Sequence, residues 1–166
     1  FLRRYHPNDQ FLCPKLSDLP DKAIETLSQL IQKKSSEKNI SLLGSSLGGF
    51  YATWLAEKYH LKAALINPAV NPQTLLLDYL GKNKNFYTGV EYELTPAHIQ
   101  QLNKIDVLQI KAPEKLMVLI QAGDEVLDYR LAEEKYADTL LIVEEGGDHS
   151  FQQFERHCEA IYKFLS

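Results

Sequence analysis

Ile40-Ser41-Leu42-Leu43-Gly44-Ser45-Ser46-Leu47-Gly48-Gly49-Phe50 is the stretch on which the fold turns. Residues 40–43 make a short apolar run that reads as a strand. From Leu47 onward, Leu47, Phe50, Tyr51, Trp54 and Leu55 recur at helical spacing, which predicts a helix over residues 47–59. Between the two lies Gly44-Ser45-Ser46-Leu47-Gly48, a G-x-S-x-G turn in a strand–turn–helix setting. A turn that sharp forces the Ser46 backbone into a strained conformation and lifts its hydroxyl above the sheet edge. Gly44 and Gly48 carry no Cβ, so strand and helix can approach closely, and Gly49 relieves crowding further. The plain alternative is a glycine turn in which Ser45 or Ser46 merely caps the helix.

Working outward, short apolar runs alternate with helical patterns, as in an α/β sheet. Ala23, Ile24, Leu27, Leu30 and Ile31 predict a helix from about residue 20 to 34. Further strands are read at residues 11–13, 63–66, 116–120 and 140–143. Phe151, Phe154, Cys158, Ile161 and Leu165 follow with gaps of 3, 4, 3 and 4, a stripe for one closing helix. Residues 68–113 break the rhythm. They are polar and aromatic, with Tyr79, Phe86, Tyr87 and Tyr92, and short helices are expected at residues 74–80 and 96–102. Thr95 is the expected N-cap of the second, with Pro96 at its first position. An irregular insert of this length reads as a lid or a binding loop, with a surface excursion as the alternative.

The chain has 166 residues, enough for one domain with a sizeable core, and its hydrophobic fraction of 45% is ordinary for a globular protein. Lys and Arg number 18 against 22 Asp and Glu, a net charge of −4. This mild acidity gives no electrostatic reason to expect nucleic acid as a partner. Cys13 and Cys158 have no metal spacing and no disulfide framework. Both are expected reduced and buried, which suits a reducing, cytoplasmic setting. No apolar run approaches the ~18 residues of a membrane span. Neither G-x-G-x-x-G nor a phosphate loop occurs, so no cofactor and no metal are expected.

A serine hydroxyl is barely ionised at neutral pH and needs a base. Of five histidines, His6 is near the start, His60 ends a helix, His98 is in the insert and His157 is read on the exposed side of the last helix. His149 differs. It lies in Gly146-Gly147-Asp148-His149-Ser150-Phe151, between the last strand and the last helix, at the carboxyl edge where ligands bind in open α/β sheets. The acid that orients the imidazole is expected at Asp124, which follows strand 116–120 to the same edge, with Asp128 as the fallback. Glu125 and Asp148 are expected to face solvent. The order Ser46, Asp124, His149 is that of the α/β-hydrolases. The Leu47 N–H opens a helix, where donors are unpaired and the dipole favours negative charge, so it is the expected donor to an oxyanion.

These residues bring a family into view. Gly44 to Gly48, Gly123-Asp124 and Gly147 to His149 resemble the α/β-hydrolase superfamily. A finer resemblance covers nearly the whole chain and is to small bacterial YqiA-type esterases. It runs through Gly44-Ser45-Ser46-Leu47-Gly48-Gly49-Phe50-Tyr51, Asn67-Pro68-Ala69-Val70, Asp78-Tyr79-Leu80-Gly81, Tyr87-Thr88-Gly89, Gly123-Asp124-Glu125-Val126-Leu127-Asp128 and Glu144-Glu145-Gly146-Gly147-Asp148-His149. The resemblance implies ester or thioester hydrolysis with Ser46, Asp124 and His149 as the triad. The family opens with a strand ending in a His-Gly-Phe turn that supplies a second oxyanion donor, and this sequence has no such segment. The natural protein is therefore expected to carry about 20 to 30 more residues before Phe1, enough for one strand, a glycine turn and a helix start.

The expectation is thus a single α/β-hydrolase-type domain over residues 1–166. Its mostly parallel sheet is flanked by helices, with a lid-like insert at residues 68–113 and its first strand missing. The expected activity is a serine esterase with a small-molecule acyl ester or thioester substrate, in which Tyr79, Phe86 and Tyr87 line the acyl site. The alternatives are an acyl-CoA thioesterase and a non-catalytic binding protein on a hydrolase scaffold.

Overall fold

The computed structural model describes residues 3, 6–36, 39–84, 89 and 91–166. Helix α1 spans Pro20–Lys34, with Pro20 at its first position, Asp21 in the first turn and Lys33 and Lys34 in the last, as the helix dipole favours. Strand β1, Ser41–Ser46, runs directly into α2, Leu47–Tyr59. Then come β2 (Lys62–Pro68), β5 (Leu116–Gln121), α5 (Tyr129–Lys135), β6 (Leu140–Glu144) and α6 (Cys158–Leu165). The strands form one parallel sheet in the order β1-β2-β5-β6.

The two inner strands are apolar from Ala63 to Ile66 and from Leu116 to Ile120, because both of their faces are covered. Ala63, Leu65, Leu116, Val118 and Ile120 face α2 and α5 and pack with Ala52, Ala56, Ala132 and Tyr136. Ala64, Ile66, Met117 and Leu119 point the other way, onto Phe151 and Ile161. Helix α2 is buried nearly all round. Its outer side, Phe50, Tyr51 and Leu55, packs with Ala23, Ile24 and Ile31 of α1 and with Leu102 and Ile105. Deep in this core the Tyr136 hydroxyl lies 2.9 Å from Thr53 Oγ1, which itself donates to the Gly49 carbonyl. Burial pushes the Tyr136 hydroxyl up to about 12.

The insert holds α3 (Pro72–Leu75), a 3-10 turn at Leu76–Tyr79, a hairpin of β3 (Gly81–Lys84) and β4 (Glu91–Leu94), and α4 (Pro96–Lys104). The expected helix at residues 74–80 is two short pieces, and the hairpin is an element that apolar periodicity does not announce. Its register puts opposite charges on facing positions: Lys82 faces Glu93 and Lys84 faces Glu91. Thr95 caps α4 as expected, in a capping box closed by the His98 ring.

Three sequence expectations need correction. Residues 11–13 form no strand, since Pro14 follows and no partner strand is adjacent among the described residues. Cys13, on that same segment, is exposed rather than buried, while Cys158 is buried. The closing helix begins only at Cys158. Phe154–His157 is a 3-10 turn, because Phe151 and Gln153 take positive φ and break the helix the stripe suggested.

Since Leu65 is fully buried between the two central layers, Leu65→Ala should cost ~2–5 kcal/mol of folding stability in a denaturant titration. Leu108, 90% exposed, provides the contrast: Leu108→Ser should stay within ~0.5 kcal/mol of the parent.

Candidate active site

Ser46 ends β1 and caps α2 with φ 54° and ψ −124°, a backbone state that L-residues rarely adopt. Its surroundings force it. A Cβ on Gly44 would run into the Gly48 carbonyl, and one on Gly49 would come within 2.8 Å of Pro68 Cβ. Gly48 is different from the expectation: a Cβ there would meet nothing within 4 Å, so its backbone, not a missing side chain, is what lies close to the strand. The ladder slips at this point. Ser46 pairs with Pro68, and Ala69 N–H donates to Ser46 O at 3.0 Å.

Two other loops reach the same edge. After β5 and β6 the chain is zipped by Ala122 N–H to Glu144 O (2.8 Å) and Gly123 N–H to Gly146 O (2.7 Å). The approach is so close that a Cβ on Gly123 would meet the Gly147 carbonyl at 2.5 Å. This brings Asp124 and His149 together. Asp124 Oδ2 lies 2.8 Å from His149 Nδ1, and His149 Nε2 lies 3.1 Å from Ser46 Oγ. Asp124 Oδ1 accepts from the Val126 and Leu127 N–H groups at 2.8 and 2.9 Å. An ionised carboxylate only accepts, so the Asp124 contact puts the imidazole proton on Nδ1. Nε2 is then left as an acceptor for the Ser46 hydroxyl. The Asp124 side chain is 2% exposed and that of His149 is 23% exposed. The carboxylate is therefore buried but fully hydrogen-bonded.

The remaining candidates sort themselves by contact. Asp128 Oδ1 accepts from Arg130 N–H at the start of α5 and does not reach His149. Glu125 does not simply face solvent: its carboxylate accepts the His149 backbone N–H at 3.0 Å. Asp148 Oδ2 accepts from Gln152, and its Oδ1 is buried without a partner. His157 is not on an exposed side; its ring is 2.9 Å from Glu144. His60 caps α2 in a left-handed conformation, His98 serves its capping box, and His6 stacks on Tyr162. Leu47 is the first residue of α2, so its N–H has no intrahelical partner. Tyr79 is 62% exposed on its 3-10 turn, while Phe86 and Tyr87 lie outside the described residues.

Sequence reasoning missed two residues. Asn67 and Gln121 are buried side-chain amides that close β2 and β5. Asn67 Nδ2 donates to the carbonyls of Asp148 and His149, and its Oδ1 accepts Gln121 N–H. Gln121 Oε1 accepts the N–H groups of Asp148 and Gln152, and its Nε2 donates to Glu144 and to Gln152 O. A Cβ on Gly147, where φ is +77°, would collide with Gln121 Oε1. The available signal was a single amide ending each otherwise apolar run, Ala63-Ala64-Leu65-Ile66-Asn67 and Leu116-Met117-Val118-Leu119-Ile120-Gln121.

Among the described residues no group of three or more His, Cys, Asp or Glu could hold a metal, and no helix is long and apolar enough to cross a membrane.

The sequence model of an uncharacterised protein family, UPF0227, matches residues 1–166. Solved structures share the fold at low identity. Est1E from Butyrivibrio proteoclasticus with ferulic acid bound superposes with a TM-score of 0.67 at 12% identity, over 90% of this chain and 68% of that one. The monoacylglycerol lipase of Paleococcus ferrophilus gives 0.64 at 14%, over 91% and 76%. Mouse alpha/beta hydrolase domain-containing protein 10 gives 0.64 at 16%, over 87% and 67%. The fold is therefore that of the α/β-hydrolases.

Behind the histidine loop, Glu144 collects Gln121, His157 and Arg156. The Gln121 amide, and then the His157 ring and the Arg156 guanidinium, hold its carboxyl below the usual carboxylate range against the opposing effect of burial. A depressed carboxylate contributes stability that is complete above its ordinary value and is lost as pH falls through the lower folded value. Glu144→Gln should therefore show its full stability deficit near neutral pH, and the deficit should shrink on acidification below the ordinary value of 4.5. Unfolding curves of both proteins across that range measure this; a deficit that does not change with pH would contradict it.

Proposed function

The chain belongs to the uncharacterised protein family UPF0227, and we propose that this protein is a serine hydrolase cleaving carboxylic esters through an acyl-enzyme. The observation that carries the reading is the unbroken hydrogen-bonded line from Ser46 Oγ through both ring nitrogens of His149 to Asp124 Oδ2. In this reading Ser46 Oγ attacks the acyl carbonyl carbon as its proton moves to His149 Nε2. The imidazolium so formed is stabilised by Asp124, which keeps its own charge. Negative charge gathers on the carbonyl oxygen, where the Leu47 N–H at the positive end of α2 donates. Collapse breaks the ester bond, and the leaving alkoxide takes the proton from Nε2. Water then attacks the acyl carbon as Nε2 takes its proton, the acyl–Oγ bond breaks, Ser46 Oγ takes the proton back from Nε2, and the acid is released.

An ester as substrate fits the company the fold keeps, which includes a monoacylglycerol lipase. The insert at residues 68–113 leaves β2 at the carboxyl edge that carries Ser46 and Asp124 and re-enters the sheet at the opposite end of β5, and its aromatic side chains are the proposed acyl-binding elements.

Ser46→Ala keeps the Cβ and should lower ester hydrolysis by up to ~10⁶ with little effect on folding. Undiminished turnover of a p-nitrophenyl ester by Ser46→Ala would sink the mechanism. Asp124→Asn favours the wrong imidazole tautomer and should cost ~10⁴ in kcat. Asp128→Asn touches the α5 cap and the exposed ion pair with Arg130 and should leave kcat close to the parent; steady-state kinetics of the two variants decide the ranking.

A further inference from the structure

We propose that Asn67 is a positioning residue for His149, one that sets the distance between base and nucleophile; the inference rests on the hydrolase reading above. Ser46 and His149 stand 103 residues apart in sequence, yet their side chains meet at 3.1 Å. Residues 67–69 link their backbones directly. On one side, Ala69 N–H holds Ser46 O, and Pro68 pairs with Ser46 in the ladder. On the other, the Asn67 amide holds the carbonyls of Asp148 and His149 at 3.0 and 3.2 Å, one on each side of the His149 Cα. Glu125 takes the intervening N–H. The peptide planes flanking His149 are thus fixed from both sides, and with them the origin of its side chain.

The position is specific to asparagine for three reasons. Its φ is +39°, a region asparagine tolerates and most residues do not. Pro68 follows and bars ordinary helical backbone at residue 67. The side chain must present two donors toward the carbonyls and one acceptor to Gln121 N–H, all within a site where it is 2% exposed. A carboxylate would keep the acceptor but set its second oxygen against two carbonyl oxygens.

The test uses Asn67→Asp, which reverses the donors, and Asn67→Gly, which accommodates the positive φ and removes the amide. Steady-state hydrolysis of a p-nitrophenyl ester and fluorophosphonate labelling of Ser46 are measured on each, with the low-field proton NMR resonance of His149 Nδ1–H as a direct readout. The expected result is a ~10²-fold fall in kcat and in labelling rate, since a displacement of about 1 Å costs that much, with KM within about threefold. The Nδ1–H resonance should shift or broaden. A merely structural asparagine would lower the melting temperature while the folded variant kept its kcat and an unchanged resonance, and that outcome overturns the proposal. Failure of the hydrolase reading shows separately, as full activity in Ser46→Ala. In that event the resonance alone decides whether Asn67 positions the ring.

Discussion

Two buried side-chain amides hold the carboxyl edge of this sheet together. Parallel strands end with backbone groups that the ladder no longer pairs, and loops leaving them would otherwise be independent. Asn67 satisfies one of those groups, the Gln121 N–H, with its side-chain oxygen, and both amides bind the loop that carries His149. Being nearly fully buried, each would be costly if left without partners, so the pairing is effectively obligatory. The loop is clamped to the sheet by the same bonds that keep the amides satisfied. The geometry at Ser46 and Asp124 inherits that rigidity, because Ser46 pairs with Pro68 beside Asn67 and Asp124 follows the end of β5 at Gln121.

Much of this was legible in the sequence. Strand–turn–helix around Gly44 to Gly48 located Ser46, and glycines in two later loops located Asp124 and His149, because backbone crowding leaves a compositional trace. The amide pair leaves almost none. A single asparagine or glutamine at the end of an apolar run is indistinguishable from a strand stop until the loops it binds are placed in space. The hairpin Gly81–Lys84 with Glu91–Leu94 escaped for a different reason: its register is written in opposite charges across two strands, not in apolar alternation along one. His157 was misplaced because the stripe suggested one helix from Phe151. Positive φ at Phe151 and Gln153 stops that helix and turns His157 toward Glu144.

Phe151 shows how the histidine loop is held from its other end. Its ring is 3% exposed in the core beneath the sheet, in edge contact with Phe154 and His157. The four residues from Asp148 to Phe151 are therefore tied at one end by the amides and at the other by a buried aromatic ring. A short segment fixed at both ends has few conformations left, so little further entropy is lost when a ligand meets His149.

The same reasoning accounts for where the backbone strain lies. Among the described residues, non-glycine positive φ occurs at Ser46, His60, Asn67, Asn71, Phe151 and Gln153. His60 is an ordinary left-handed helix end; the other five all follow or close strands at the edge that carries Ser46 and His149. Each such residue costs ~1–3 kcal/mol and persists only where its neighbours overdetermine it. Here they do. Ser46 is pinned by the Gly44–Gly48 crowding and the Ala69 bond, Asn67 by its three amide contacts, and Phe151 by core burial. The middle of the interior strands, apolar on both faces, supplies the stability against which this strain is held. Removing a restraint at the edge should then relax local geometry before it unfolds the sheet. A change at Asn67 can therefore separate function from folding, whereas one at Leu65 cannot.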